Sequence, residues 1–324
     1  MTKKGLNFIF WGTPEAASET LETLKRAGYL PSLIITAPDR PKGRKMIITP
    51  PPVKVWAVKN KIPYIQPENF SEKGPSFGAS LRTVLGENGE KNFDLAIVVA
   101  YGKILPEEIL DLPKFGFINI HYSLLPKYRG ASPVETAILN GDTETGISIQ
   151  KMVFKMDAGP ILAQEKVIIG PEETAPELRK RLTKIGGELL VKFLETLSVL
   201  SDTSPSLRKR LGGGKFIEQN ETQATYCKKI KKEDGLVDLA TEPPSELYNK
   251  FRAYAEWPRT YFFTKSLDAF VNGPAERSEK NRGPEQKHQV QRIIITEAKL
   301  EDGKFVIKKI IPEGKKEIEI EYKD

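Results

Sequence analysis

The sequence predicts an α/β protein: a doubly wound, mostly parallel sheet followed by a smaller, mostly β domain. Three observations carry that prediction. Short aliphatic runs alternate with amphipathic helical stretches through the first 200 residues, the later residues keep a strand period, and a polar segment rich in Gly and basic residues lies between. The expected boundaries are residues 1–200, a linker at 201–217, and 218–324.

Leu6 to Trp11 is an apolar run stopped by Gly12-Thr13-Pro14, and Ala17, Leu21 and Leu24 then share one helical face before Gly28. That reads as strand, turn and helix. Leu33 to Thr36 is the next strand, Asp39 to Pro52 a Pro-rich loop, and Val53 to Asn60 a short helix leading to Tyr64-Ile65. Leu95 to Ala100 is nearly all aliphatic, as expected of a parallel strand covered on both faces. Pro106 to Leu112 suits one or two helical turns, Phe117 to His121 a strand, and Ser132 to Asn140 a helix. The alternation is βαβ up to this point. Ile147 and Ile149 then alternate with polar neighbours, and Ile161 to Val167 offers a partner strand. Thr174 and Glu177 make a capping-box pattern ahead of a long helix with Leu178, Leu182, Ile185, Leu189, Phe193 and Leu197 on its inward stripe.

Arg208-Lys209-Arg210 and Gly212-Gly213-Gly214 read as spacer, because no strand and helix frame the glycines as a phosphate loop requires. Beyond them, Ser245 can cap a helix bearing Leu247, Phe251 and Tyr254. Ile293 to Ile295, Lys304 to Ile310 and Glu317 to Tyr322 read as strands, with Asp302-Gly303 and Glu313-Gly314 as turns. Residues 271–290 read as a polar loop.

The totals narrow the class. Cys227 is the only cysteine, so no intrachain disulfide or thiolate cage forms and a reducing compartment is expected. The opening MTKKGLNFIFWG is too short in apolar residues for a signal peptide or a span, so a cytoplasmic protein is expected. Fifty Lys and Arg against 43 Asp and Glu give +7, which suits a polyanionic partner. The excess is spread over the chain and forms no basic tail. Two distant histidines and one cysteine offer no clustered metal ligands, so no metal is expected.

The chemistry gathers at one strand end. Side chains alternate along a strand, so Asn119 and His121 point to the same side. In open α/β sheets ligands bind beyond the carboxyl ends of the strands, where this pair arrives. His288, among Glu285, Gln286, Lys287 and Gln289, reads as a solvated loop residue. The strand continues into Ser123-Leu124-Leu125-Pro126-Lys127-Tyr128-Arg129-Gly130, and about thirty residues on comes Asp157-Ala158-Gly159, a carboxylate in a turn before a strand.

With these elements the chain resembles the folate-dependent formyltransferases: Asn119-Ile120-His121, the Ser123 to Gly130 run and Asp157-Ala158-Gly159 match the family's elements in order. Gly12-Thr13-Pro14-Glu15 and the Pro38 to Arg44 stretch match the branch acting on initiator tRNA, and similarity resumes at Gln223-Ala224-Thr225-Tyr226. The resemblance implies a formyltransferase-like, Rossmann-type catalytic domain and a C-terminal β-barrel of oligonucleotide-binding type that binds tRNA. It implies formyl transfer from 10-formyltetrahydrofolate, a co-substrate, to the α-amino group of methionine on initiator tRNA; apart from the resemblance, a monomer with no membrane partner is expected. Asn119, His121 and Asp157 would be the catalytic residues, and Ser123, Leu124, Leu125 and Pro126 would line the tetrahydrofolate pocket.

The chemistry suits those side chains. Attack of a neutral amine on a formyl carbon makes an oxyanion and a cationic nitrogen, so the site needs donors and a proton acceptor. The Asn119 amide and a protonated His121 can donate to the oxygen, and an adjacent Asp157 favours the imidazolium and helps the imidazole or a water collect the proton. Arg40, Lys42, Arg44 and Lys45 suit phosphate contacts, and by resemblance their loop approaches the acceptor stem. Lys228, Lys229, Lys231 and Lys232 beside Tyr226 suit the RNA backbone.

Two positions depart from the family. Tyr122 stands where a small residue or proline is common, bearing on the pocket rim, and Ala16 stands where an aromatic often follows the Gly-Thr-Pro-Glu turn, bearing on the methionine pocket. The second domain and the basic loop argue against a formyl transferase of amino sugar nucleotides or glycinamide ribonucleotide. A formyltetrahydrofolate hydrolase usually carries a different accessory domain. A non-catalytic RNA-binding protein would not need the Asn119, His121 and Asp157 set, and Gly12-Thr13-Pro14 is not the G-x-G-x-x-G turn of a dehydrogenase.

Overall fold

The structure is a computed structural model that describes residues 6–43, 45–68, 93–203, 217–272 and 290–323. Arg44, His288, the Arg208 to Arg210 cluster, Gly212 to Gly214 and most of 271–290 lie outside the described residues. By internal contacts the chain divides into two compact units. One comprises Met1–Gly130, Thr145–Ile168 and Arg179–Tyr226, and the other Ala131–Glu144, Ile169–Leu178 and Cys227–Asp324.

In chain order the elements are β1 (Phe8–Gly12), α1 (Glu15–Arg26), β2 (Leu33–Ile35), β3 (Arg40–Lys42), β4 (Ile47–Thr49), α2 (Pro52–Asn60), β5 (Tyr64–Ile65) and β6 (Leu95–Val99). A 3₁₀ turn at Glu107–Ile109 precedes β7 (Phe117–His121), β8 (Arg129–Gly130), α3 (Pro133–Leu139), β9 (Glu144–Lys151), β10 (Ile161–Ile168) and α4 (Ala175–Thr203). The rest comprises β11 (Tyr226–Cys227), α5 (Pro244–Ala253), β12 (Tyr261–Thr264), α6 (Leu267–Asn272), β13 (Gln291–Glu301), β14 (Lys304–Pro312) and β15 (Ile318–Lys323).

The first unit is built on a seven-stranded sheet in the order β10-β9-β7-β6-β1-β2-β5. β1 pairs in parallel with both β2 and β6, and β6 in parallel with β7. All five residues of β1 and of β6 are buried, the pattern of central strands covered on both faces. The chain winds outward from β1 through β2 and β5, then returns to its other side with β6 and β7, which puts a topological switch point between β1 and β6. Gly12 ends β1 because nothing larger fits: an added Cβ would sit 2.6 Å from Ala17 Cβ and 2.9 Å from Val99 O. β7 and β9 run antiparallel, so the parallel winding stops there.

On α1 the expected face of Ala17, Leu21 and Leu24 is buried, joined by Thr20. The Glu177 side of the expected capping box of α4 forms, with Oε2 accepting from Thr174 N at 2.9 Å and from Thr174 Oγ1 at 2.7 Å. Its buried stripe differs in detail from the reading: Leu178, Leu182, Leu189, Leu190, Leu194 and Leu197 are buried, and Ile185 and Phe193 only half so. Two other expectations are corrected. The Asp39 to Pro52 stretch is a small antiparallel hairpin of β3 and β4, with Arg40 opposite Thr49 and Lys42 opposite Ile47. Ser245 lies inside α5, whose N-cap is Pro243 with Pro244 in its first turn, because proline's fixed φ suits a helix start.

The second unit holds a four-stranded antiparallel sheet in the order β12-β13-β14-β15, the core of a small barrel-like module. Asp302 and Gly303, both at positive φ, make the tight turn from β13 to β14. Leu247 of α5 packs with Phe262, Ile293, Ile295, Phe305, Ile307 and Ile310. Among the described residues no helix is long and apolar enough to cross a membrane.

Candidate active site

β7 carries Asn119 and His121 two residues apart, so the pleat turns both to one face. β9 lies beside it with Gln150 opposite Asn119 and Ser148 opposite His121. Directly opposed residues on neighbouring strands share a face, so four polar side chains gather there. The loop after β9 brings Asp157 to the same place. Asp157 Oδ1 accepts from Gln150 Nε2 at 2.7 Å and lies 3.7 Å from His121 Nδ1, while Oδ2 accepts from Gly130 N at 2.8 Å.

The other ring nitrogen fixes the tautomer. His121 Nε2 is 2.9 Å from the Tyr128 carbonyl, which can only accept, so Nε2 carries a proton and the neutral ring keeps its lone pair on Nδ1. At 3.7 Å from the carboxylate, beyond a direct hydrogen bond, Nδ1 is the ring atom open to a proton from elsewhere. Tyr128, at φ 58°, is held by its N–H on Thr225 Oγ1 at 2.8 Å. Asn119 is half-buried and forms no side-chain hydrogen bond among the described residues, so its amide is open to a ligand.

The Asp157 turn is closely fixed. Asp157 adopts φ 49°, a region that Asp tolerates better than most residues. Gly159 passes so near β9 that an added Cβ would fall 1.8 Å from Lys151 O, which is why the motif ends in glycine. Gln219 Nε2 donates to the carbonyls of both Asp157 and Gly159, at 2.9 and 2.6 Å. Gln219 Oε1 in turn accepts from Arg129 Nε at 2.9 Å and Nη2 at 2.8 Å, and the wholly buried Arg129 guanidinium also meets both carboxylate oxygens of Glu221.

Hydrogen bonds from Arg129, then Lys155, hold the Glu221 carboxyl down at about 2, well below its ordinary 4.5. A depressed carboxyl stabilises the fold above its unfolded value, and that contribution is lost as pH falls from about 4.5 towards about 2. Thermal unfolding followed down that window should fall more steeply for the native chain than for Glu221→Gln. Equal slopes would detach Glu221 from stability.

Of the loop expected to meet tetrahydrofolate, Ser123 and Leu125 are buried and Leu124 and Pro126 half-buried. Its polar atoms are largely committed internally. Ser123 Oγ donates to Lys127 O, Ser148 Oγ donates to Ser123 O and accepts from Leu125 N, and Gln164 Nε2 donates to Leu125 O. The Leu125–Pro126 bond is cis. Tyr122 turns to the opposite side from His121, against Gly186 of α4, where burial raises its hydroxyl's pKa. It therefore leaves the rim of the site alone. Ala16 sits half-buried in the first turn of α1.

The cationic hairpin is exposed. Arg40 pairs with Glu68 at 2.9 Å, both in solvent, a contact worth little, and Lys42 and Lys45 are exposed beside Ile47 and Ile48. Tyr226, Lys228, Lys229, Lys231 and Lys232 are exposed too.

Sequence reasoning missed Gln150 and Gln219. The first could have been found, because Ser148 and Gln150 obey the same two-residue alternation as Asn119 and His121. No local pattern points to Gln219, which meets Asp157 from 62 positions away and Arg129 from 90.

An amide, an imidazole and a carboxylate converging at a strand end beyond a switch point are the equipment of an acyl-transferring enzyme, able to hold an oxyanion and move a proton. The formyl transferase family model matches residues 4–194, and that of the formyl transferase C-terminal domain matches 229–322. The chain belongs to the formyl transferase family. It is 40% identical over 269 residues to a methionyl-tRNA formyltransferase of Thermotoga maritima, covering 83% of this chain and 79% of that one. A methionyl-tRNA formyltransferase of Geobacter metallireducens is also 40% identical, over 79% of this chain and 76% of its own. Among solved structures, an N-formyltransferase of Helicobacter canadensis, in complex with folinic acid and dTDP-3-aminofucose, aligns at a TM-score of 0.58 and 16% identity, covering 98% of this chain and all of that one. At that identity the likeness speaks for the fold.

Proposed function

We propose that the chain transfers the formyl group of 10-formyltetrahydrofolate to the α-amino group of methionine carried on initiator tRNA. The observation that carries the chemistry is the approach of Asp157 Oδ1 to 3.7 Å from His121 Nδ1, on the sheet face that also holds Asn119. The relatives named methionyl-tRNA formyltransferase supply the substrate.

The amine nitrogen attacks the formyl carbon, forming a C–N bond and an oxyanion. The Asn119 amide donates to that oxygen. His121 Nδ1 takes the amine's proton, and the resulting imidazolium faces the Asp157 carboxylate. The bond from the formyl carbon to N10 of the folate then breaks, N10 receives the proton from His121, and tetrahydrofolate leaves. With Ser123 and Leu125 buried, the loop's contact with the folate falls to Leu124 and Pro126. Arg40, Lys42, Arg44 and Lys45 contact tRNA phosphates, and the lysines at 228, 229, 231 and 232 support the RNA backbone. The enzyme works in the cytoplasm as a monomer.

The test is formylation by the purified full chain. Methionyl initiator tRNA should be labelled from 10-formyltetrahydrofolate in preference to elongator tRNA and free methionine, and activity confined to water or an amino sugar nucleotide would overturn the reading. Each of Lys42→Ala, Arg44→Ala and Lys45→Ala is expected to weaken tRNA binding and lower the salt slope by about one. An unchanged slope for all three would remove the hairpin from the RNA contact.

A further inference from the structure

The Asp157 carboxylate is oriented by two donors, the Gly130 amide and the Gln150 side chain. Gln150 stands on β9 directly across from Asn119 and is only 2% exposed. Its amide has one possible orientation, because an ionised carboxylate only accepts, so Nε2 must face Asp157. That choice leaves Gln150 Oε1 buried with no hydrogen-bond partner among the described residues. An orphaned buried acceptor costs stability. An apolar residue of the same length would fill the space without that cost.

From this we infer that Gln150 is a positioning residue for formyl transfer: its amide aims the Asp157 carboxylate at the Nδ1 side of His121. The inference deepens the proposed function and rests on its assignment of Asp157. Without the Gln150 bond, Oδ1 is free to rotate about the Cβ–Cγ bond and leave the imidazole. The Gly130 amide alone grips only the other oxygen. Because β9 also pairs with β7 at Asn119, one amide ties the carboxylate on the loop to the strand that carries the other two groups.

Gln150→Met keeps the length and volume while deleting the donor and the orphaned acceptor. It is expected to lower kcat about ten- to a hundredfold with KM within about twofold, and to leave the unfolding midpoint nearly unchanged, since relief of the orphan offsets the lost bond. Gln150→Glu, isosteric but negative, should lose at least as much and regain activity as the pH is lowered, because two adjacent carboxylates then share a proton. In an Asp157→Asn background, Gln150→Met should cost less than about twofold more. A Met variant with native kcat, or one losing the same factor in both backgrounds, overturns the inference. Full turnover by Asp157→Asn alone would instead overturn the assignment of Asp157, so the two failures are told apart.

Discussion

Asn119→Ala is expected to lower kcat/KM by about two to three orders of magnitude, mostly in kcat, with the unfolding midpoint unchanged. The Asn119 side chain is half-buried and bonds to no described residue, so truncating it strips no internal partner. In the proposed mechanism it removes a donor to an oxygen that bears charge only beyond the ground state, and such a loss appears in kcat rather than KM. His121→Ala should lose as much or more, but its fold is also weakened. The buried hydrogen bond from His121 Nε2 to the Tyr128 carbonyl is lost, a cost of about 1 kcal/mol. Single-turnover formyl transfer beside denaturant unfolding separates the two variants, one losing rate alone and the other rate and stability. Native single-turnover rates in Asn119→Ala would rule out the amide as the oxyanion donor.

The site was legible in the sequence to the extent that it depends on strand period. Asn119 and His121 could be paired by alternation alone, and β6 could be recognised as a central strand because parallel strands covered on both faces become aliphatic throughout. On β9 the same alternation does not report burial. Ile147 and Ile149 alternate with polar neighbours, and Thr145 through Gln150 are all buried. Their polar side is covered by two loops: Ser148 bonds the Ser123 to Leu125 segment, and Gln150 bonds Asp157. Polar residues facing a loop instead of water look alike in sequence, and only the partner distinguishes them. Prolines hid the β3–β4 hairpin for a related reason. A two-stranded ribbon of three residue pairs tolerates Pro41, which in a longer sheet would have argued against a strand.

Arg129→Met is expected to destabilise the fold by about 3 kcal/mol and to cost activity as well. The guanidinium is wholly buried and supplies four hydrogen bonds, two to Gln219 Oε1 and two to Glu221. Its surviving partners differ in consequence. Glu221 is 54% exposed, so its charge stays hydrated when the pair is broken, and it retains Lys155. Gln219 is buried, and its carbonyl oxygen loses both of its Arg129 donors. Gln219 also grips the carbonyls of Asp157 and Gly159, so loosening it frees the turn that presents the carboxylate. Activity should therefore fall more than stability alone explains, by about tenfold in kcat at a temperature where the variant is still fully folded. Arg129→Lys should lie closer to Met than to the native chain, since an ammonium cannot reproduce the planar fork that meets Gln219 and Glu221 together. A Met variant that unfolds with the native chain and turns over at its rate would mean that the Asp157 turn is held by its own backbone, with the Arg129–Gln219 contact incidental to it.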